Sequence, residues 1–239
     1  MFELPKRGYL QGAKHRKRRM SRASLPSHAR PGLDGISIRI LKLALPAISP
    51  SLEHIYNASI SSGIVPDAFK KAKVTPIHKK ESTHERGNFR PISVLPILSK
   101  PLKRHVSLAL HEHLKTNKLL YINQSAYRAN HSCETALLNI TDKWLKEMDG
   151  SKLVATVFMD LSNSFDLVSH DVLRSKLAKY PVSPEALQWF TSYLSNRSQQ
   201  CYMSGSLSSL LELKVGVPTR VHIRAYSFLH LYQQSATIT

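Results

Sequence analysis

Two acids, Asp160 and Asp166, close the stretch LVATVFMDLSNSFD that begins at residue 153. The run 153–159 ahead of them is uncharged and rich in β-branched and aromatic side chains, the pattern of a strand buried on both faces. A carboxylate at the C-terminal edge of such a strand stands where open α/β sheets hold ligands or hard cations. The plainer reading of the same residues is a polar strand end entering a turn. A second group is basic. Lys79, Lys80 and Arg90 flank the polar loop between two short strand-like pieces, 72–77 and 88–95. Cations fixed on a hairpin suit a polyphosphate, and an arginine can grip phosphate through two parallel hydrogen bonds. A solvated surface hairpin would look the same. A third group, Arg16, Lys17, Arg18 and Arg19 with Lys14, His15 and Arg22 around it, has almost no apolar periodicity. It reads either as a disordered, solvated leader or as an arm for RNA binding or nuclear import.

The elements that must position these groups follow from periodicity and punctuation. Ile36, Ile40 and Leu43 share a helical face before Pro46, which is expected to interrupt the helix. Ser49 then reads as an N-cap with Pro50 at the first helical position, and Gly63 as the stop. Leu52, Ile55, Tyr56 and Ile60 give that helix its apolar stripe. A helix from Ser99 to about Lys115 presents Leu102, Val106, Leu110 and Leu114. Another, from Ser132 to Gly150, presents Leu137, Ile140, Trp144, Leu145 and Met148. Beyond the central strand come a helix from Asp171 to about Tyr180 and one from Pro184, capped by Ser183, that presents Leu187, Phe190 and Leu194. Cys201 to Met203 and the segment 210–217 read as a closing β-hairpin. The order is that of an α/β or α+β domain without internal repeats, and neither a Walker sequence nor GxGxxG is present.

Composition narrows the partner more than the activity. The 239 residues carry 34 Lys and Arg against 16 Asp and Glu, a formal charge of +18. Such an excess favours polyanions, nucleic acid foremost. Cys133 and Cys201 have no paired spacing, which argues against a disulfide framework and a zinc ribbon. His111-Glu112-His113 lacks the spacing of a zinc-protease helix. The N-terminus has no apolar core of signal-peptide length and no apolar run approaches a membrane span, so Asn57-Ala58-Ser59 reads as a chance glycosylation triplet. The expected setting is the nucleus or cytoplasm, with no membrane partner.

Six stretches, taken together, resemble the reverse transcriptase domain of non-LTR (LINE-type) retrotransposons of the jockey and CR1-like group. They are GLDGI from Gly32, VTPIHKK from Val74, NFRPISVLPILSK from Asn88, QSAYRANHSCETAL from Gln124, FMDLSNSFDLVSH from Phe158 and WFTSYLSNRSQ from Trp189. The resemblance runs from about Gly32 to Pro218. It implies a right-hand polymerase, with the fingers at about 33–150 and part of the palm at 151–218, after a basic leader at 1–32. It implies RNA-templated DNA synthesis with an RNA template, a DNA primer and dNTPs. Asp160 matches the first catalytic, metal-binding aspartate and Phe165 the aromatic gate beneath the sugar. Arg90 matches the arginine on the triphosphate, and Lys79 or Lys80 the lysine beside it. Asp166 falls to a structural role. The implied cofactor is Mg²⁺, which needs rigidly held carboxylate oxygens to stabilise the attacking and leaving oxygens of phosphoryl transfer. The family takes two further aspartates from an Asp-Asp pair, and these 239 residues contain no Asp-Asp. Ser164 stands where the family usually has alanine, and Ala126-Tyr127 where it usually has Gly-Phe.

After Gly216-Val217-Pro218 the family continues with Gln-Gly-Ser and an apolar helix, whereas this chain continues TRVHIRAYSFLHLYQQSA. Written as ACA AGG GTC CAT, Thr219 to His222 becomes CAA GGG TCC AT when the first base is dropped. With permitted codons the shifted frame reads QGSILGPILFFIYINNLP. The expectation is therefore a one-base shift after Pro218, with 219–239 as out-of-frame text, a site missing its other aspartates, and no polymerase activity from this chain alone. The nucleotide sequence around Pro218 tests it. Two other readings stand beside this one: a non-catalytic basic nucleic-acid-binding protein, and a pseudogene product without function.

Overall fold

The computed structural model describes residues 1–5, 30–79, 82–120, 123–126, 128, 130–159 and 166–217. The first helix, α1 (Ile38–Ser62), runs unbroken through Pro46 and Pro50. It begins at Ser37, whose hydroxyl accepts from the Ile40 N–H, and ends at Gly63 in the left-handed conformation, φ 66°. The expected interruption at Pro46 and cap at Ser49 are therefore wrong. The two prolines are four residues apart, so both lost N–H groups fall on one side of the helix, and both prolines are exposed. On an exposed side water can satisfy carbonyls that a proline leaves unbonded, so the two prolines cost less there than in a buried stretch of helix. On the other side Leu41, Leu45, Leu52 and Tyr56 form one buried stripe across the proline region. The expected face of Ile40 and Leu43 is exposed instead, because the stripe of the second half sets the rotation of the first.

Strands β1 (Lys71–His78) and β2 (Phe89–Val94) form the antiparallel hairpin expected from the sequence. Pro76 and Pro91 stand directly opposite each other. A pair without N–H groups fits a position where neither residue donates to its partner. The closing strands join this sheet. β3 (Arg197–Met203) lies parallel to β1 through Lys71–Ser198 to Val74–Cys201, and β4 (Ser206–Leu207) and β5 (Leu211–Leu213) pair antiparallel with β3. The two hairpins of the sequence reading are thus one mixed sheet; in the second, the first strand begins earlier than expected, at Arg197, and the segment 210–217 contributes only Leu211–Leu213. Between β2 and β3 the chain forms α2 (Ser99–Thr116), α3 (Cys133–Asp149), α4 (His170–Ala178) and α5 (Pro184–Leu194).

The core lies among α1, α2, α4 and α5. Trp189 is fully buried, stacks on Tyr193 at 5.6 Å between centroids, and donates from Nε1 to the Ser59 hydroxyl of α1. The Ser192 hydroxyl accepts from the Val65 N–H, and Tyr56 donates to the Leu98 carbonyl. Leu102, Val106, Leu110 and Leu114 of α2 are buried as expected. Phe2 and Leu4, assigned by sequence to the basic leader, are also buried. Phe2 bridges Val182 in parallel, and the Ser183 N–H donates to the Phe2 carbonyl.

Two expectations fail together. Residues 153–159 form no strand and are exposed throughout, Phe158 at 79% and Met159 at 80%. Helix α3 forms where expected, with a Ser132–Thr135 capping box, yet buries no residue. Leu137, Leu145 and Met148 are exposed and Trp144 is half-buried. An apolar run becomes a buried strand only where other strands take up its N–H and C=O groups and layers cover both faces. Among the described residues no strand lies beside 153–159.

Candidate functional site

Alternation along β1 puts Lys71, Lys73, Thr75 and Ile77 on one face of the sheet, while Ala72 and Val74 turn inward and are buried. Register then extends the basic face across three strands. Arg90 stands opposite Ile77, and the Lys79 N–H donates to the Asn88 carbonyl at 2.8 Å. Lys79 and Arg90 are therefore diagonal neighbours, about 7–8 Å apart at the backbone and within reach of one ligand. Both are exposed. On the other side Lys73 pairs with Gln200, and its Nζ lies 3.7 Å from the centroid of the Tyr202 ring. That cation–π contact holds the half-buried amine against an aromatic flank. The acid that the register of the described strands puts on this face is Glu212 of β5, opposite Ser198 and away from Arg90.

The sequence reading found Lys79 and Arg90 from their place beside one loop. It missed Lys71, Lys73 and Tyr202. Lysines at alternate positions of a strand that also carries buried Ala72 and Val74 are a usable signal for the first two. Nothing in the sequence announces Tyr202, which arrives through the parallel pairing of β3.

Lys80, Asp160, Phe165 and the basic run Arg16, Lys17, Arg18 and Arg19 lie outside the described residues. The structure does show how residues 166–170 are held against 215–216. Ser169 bridges Val215, the Gly216 N–H donates to the Val168 carbonyl at 2.8 Å, and His170 Nε2 lies 2.7 Å from the Gly216 carbonyl. Gly216 has φ 85°, and a Cβ there would stand 2.7 Å from the Asp166 carbonyl oxygen. Only glycine fits so close an approach. Asp166 itself is exposed and sits on this clasp. Among the described residues no group of three or more His, Cys, Asp or Glu is placed to hold a metal ion. The described residues thus do not make up a Mg²⁺ site. No described helix is long and apolar enough to cross a membrane.

Comparison with known proteins gives a consistent picture. The family described as reverse transcriptase (RNA-dependent DNA polymerase) matches residues 77–219, from the hairpin through the Gly216 clasp. The chain is 32% identical over 197 residues to the probable RNA-directed DNA polymerase from transposon BS of Drosophila melanogaster, covering 82% of this chain and 22% of that protein. It is 28% identical to the RNA-directed DNA polymerase from mobile element jockey of the same organism, over 82% of this chain and 21% of the relative. The probable RNA-directed DNA polymerase from transposon X-element is 25% identical over 79% of this chain and 21% of its own length. The chain spans about a fifth of the length of these curated relatives. Reverse transcriptases as a family work on a nucleic-acid template and primer and generally use divalent metal ions. With more than half of its residues under that family, and with RNA-directed DNA polymerases of transposons and mobile elements as relatives along most of its length, the chain belongs to the reverse transcriptase family.

Proposed function

We propose that the β1–β2 face is the fingers surface of a retrotransposon polymerase. Lys79 and Arg90 engage the triphosphate of an incoming dNTP, and Lys71 and Lys73 follow the nucleic-acid backbone. The observation that carries this is the register that sets Lys71, Lys73, Lys79 and Arg90 on one face of the sheet. Guanidinium and ammonium groups aimed at one place stabilise phosphate charge, and phosphoryl transfer relies chiefly on such positioning and electrostatics. Lys80 shares the nucleotide-binding role assigned to Lys79. Asp160 is the first aspartate of the Mg²⁺ site and Phe165 the sugar gate. Asp160 would offer Mg²⁺ one carboxylate, and the ion would supply charge stabilisation at the reacting phosphate. With no Asp-Asp pair in the sequence, the chain by itself binds template, primer and nucleotide without extending the primer.

The test has two arms. Binding to an RNA–DNA hybrid measured across salt should show a steep slope that falls by roughly 1 for each phosphate-contacting cation removed, as in Lys73→Ala. Cross-linking of a photoreactive dNTP should fall at least tenfold in Arg90→Ala and remain in Trp144→Ala. Equal cross-linking in wild type and Arg90→Ala overturns the assignment. Primer extension that Asp160→Ala abolishes overturns the inactivity. A second reading, a non-catalytic nucleic-acid-binding protein, is favoured by the +18 charge. It predicts the salt slope without nucleotide cross-linking. The exposed faces of α3 and 153–159 favour the third, a product without function, which predicts no cooperative thermal transition.

A further inference from the structure

Lys103 of α2 and Arg197 of β3 are enclosed cations, 3% and 0% exposed, with no carboxylate facing either among the described residues. Arg197 Nη1 donates to the Tyr193 carbonyl at 2.9 Å, and the guanidinium carbon lies 4.9 Å from that residue's ring centroid. Arg197 Nε and Nη2, Lys103 Nζ and the hydroxyl of Ser107 are all closed off from solvent without a hydrogen-bond partner. Ser107 is one helical turn beyond Lys103, on the same side of α2. Burial, then Arg197, then Lys100 all act against the charged form of Lys103, and the nearby acid, Asp34, acts on Lys100.

A lysine can escape such a position by losing its proton, but a guanidinium keeps its charge. Deprotonating Lys103 would still leave two donors of Arg197 unmet, at the full desolvation cost. One anion between them answers all of these groups. We propose that Lys103, Ser107 and Arg197 form an internal site for a single small inorganic anion, free phosphate or a halide, that ties α2 to the first residue of β3. The enclosure of the donors limits the ligand to an ion that the fold can surround, and excludes a nucleotide. Because β3 pairs with β1 next to Arg197, through Ser198 and Lys71, the ion steadies the root of the basic sheet.

Thermal melts of the full chain at fixed pH and ionic strength, without nucleic acid, test this separately from polymerase binding. Sodium gluconate, whose anion is too bulky to be enclosed, is replaced stepwise by chloride or by phosphate. A saturable rise in Tm with one of them is expected, about 5–10 °C at 100-fold above Kd, and which ion gives it identifies the ligand. Lys103→Met should lose that rise. Lys103→Glu, which places a carboxylate beside Arg197, should melt higher than wild type in gluconate and respond to neither ion. A wild type without a saturable response overturns the site. So does an equal response in Lys103→Met, or a response retained in Lys103→Glu.

Discussion

Helices α2 and α3 are nearly the same length, 18 and 17 residues, and both carry an apolar stripe. Their fates differ. α2 has no side-chain cap at its N-terminus and buries Leu102, Val106, Leu110 and Leu114. α3 has a complete capping box and an acid, Glu134, in its first turn, yet buries nothing. Local signals decide whether a helix forms. Whether its stripe is buried depends on which other segments come to it. α2 shares one buried core with α1 and α5, whereas the apolar run that follows α3 in sequence stays exposed to solvent with it.

The comparison breaks most directly at matched leucines. Leu110→Ala in α2 should lose about 2–5 kcal/mol of unfolding free energy in urea, through lost burial and the cavity left behind. Leu145→Ala in α3 should change it by less than about 0.5 kcal/mol. Similar losses at both positions would show α3 to be packed. The next effect is a pH response confined to α2. In gluconate Lys103 is held below its usual range by burial first, then by Arg197 and Lys100. The unfolded lysine takes up its proton below about pH 10.4 while the folded one does not, so stability is greatest above that pH. It falls as the pH drops toward the folded pKa, at up to about 1.4 kcal/mol per pH unit. Urea melts from pH 7 to 10 should show the slope in wild type and its loss in Lys103→Met.

A smaller effect lies within α3. Ser132→Ala removes half of the capping box and should cost the helix about 1 kcal/mol. Faster amide exchange in the first turns of α3, with exchange in α2 unchanged, is the expected result. The smallest change in stability comes from Val157→Asp in the exposed run, within about 0.5 kcal/mol. Its effect should show instead as weaker self-association in sedimentation, since contiguous exposed apolar surface drives association. If Val157→Asp unfolds the protein, residues 153–159 are part of a core.

Where the determining interactions are local, the elements were legible in the sequence. Ser183 before Pro184, Ser132 before α3 and Gly63 after α1 mark helix ends because a cap bonds within three or four residues of itself. The β1–β2 hairpin was legible as two short strand-like pieces joined by one polar loop, with Lys79 and Arg90 on its flanks, while the register that makes them diagonal neighbours came from the structure. The prolines of α1 misled because proline's local penalty was weighed without the buried stripe that spans it. The strand at 153–159 misled for the opposite reason. Its composition states a preference for burial, and a preference needs a partner surface that no local pattern supplies.

The sequence by itself determined the family, the helix caps and the basic hairpin, all of which rest on residues close together in the chain or on motif text. Only the tertiary structure decided that β3 joins β1, bringing Tyr202 under Lys73, and that Arg197 closes over the same interior as Lys103. It also decided that α2 is inside and α3 outside. These outcomes depend on contacts between residues far apart in sequence, whose free energy appears only when both surfaces are present and the chain entropy of bringing them together has been met.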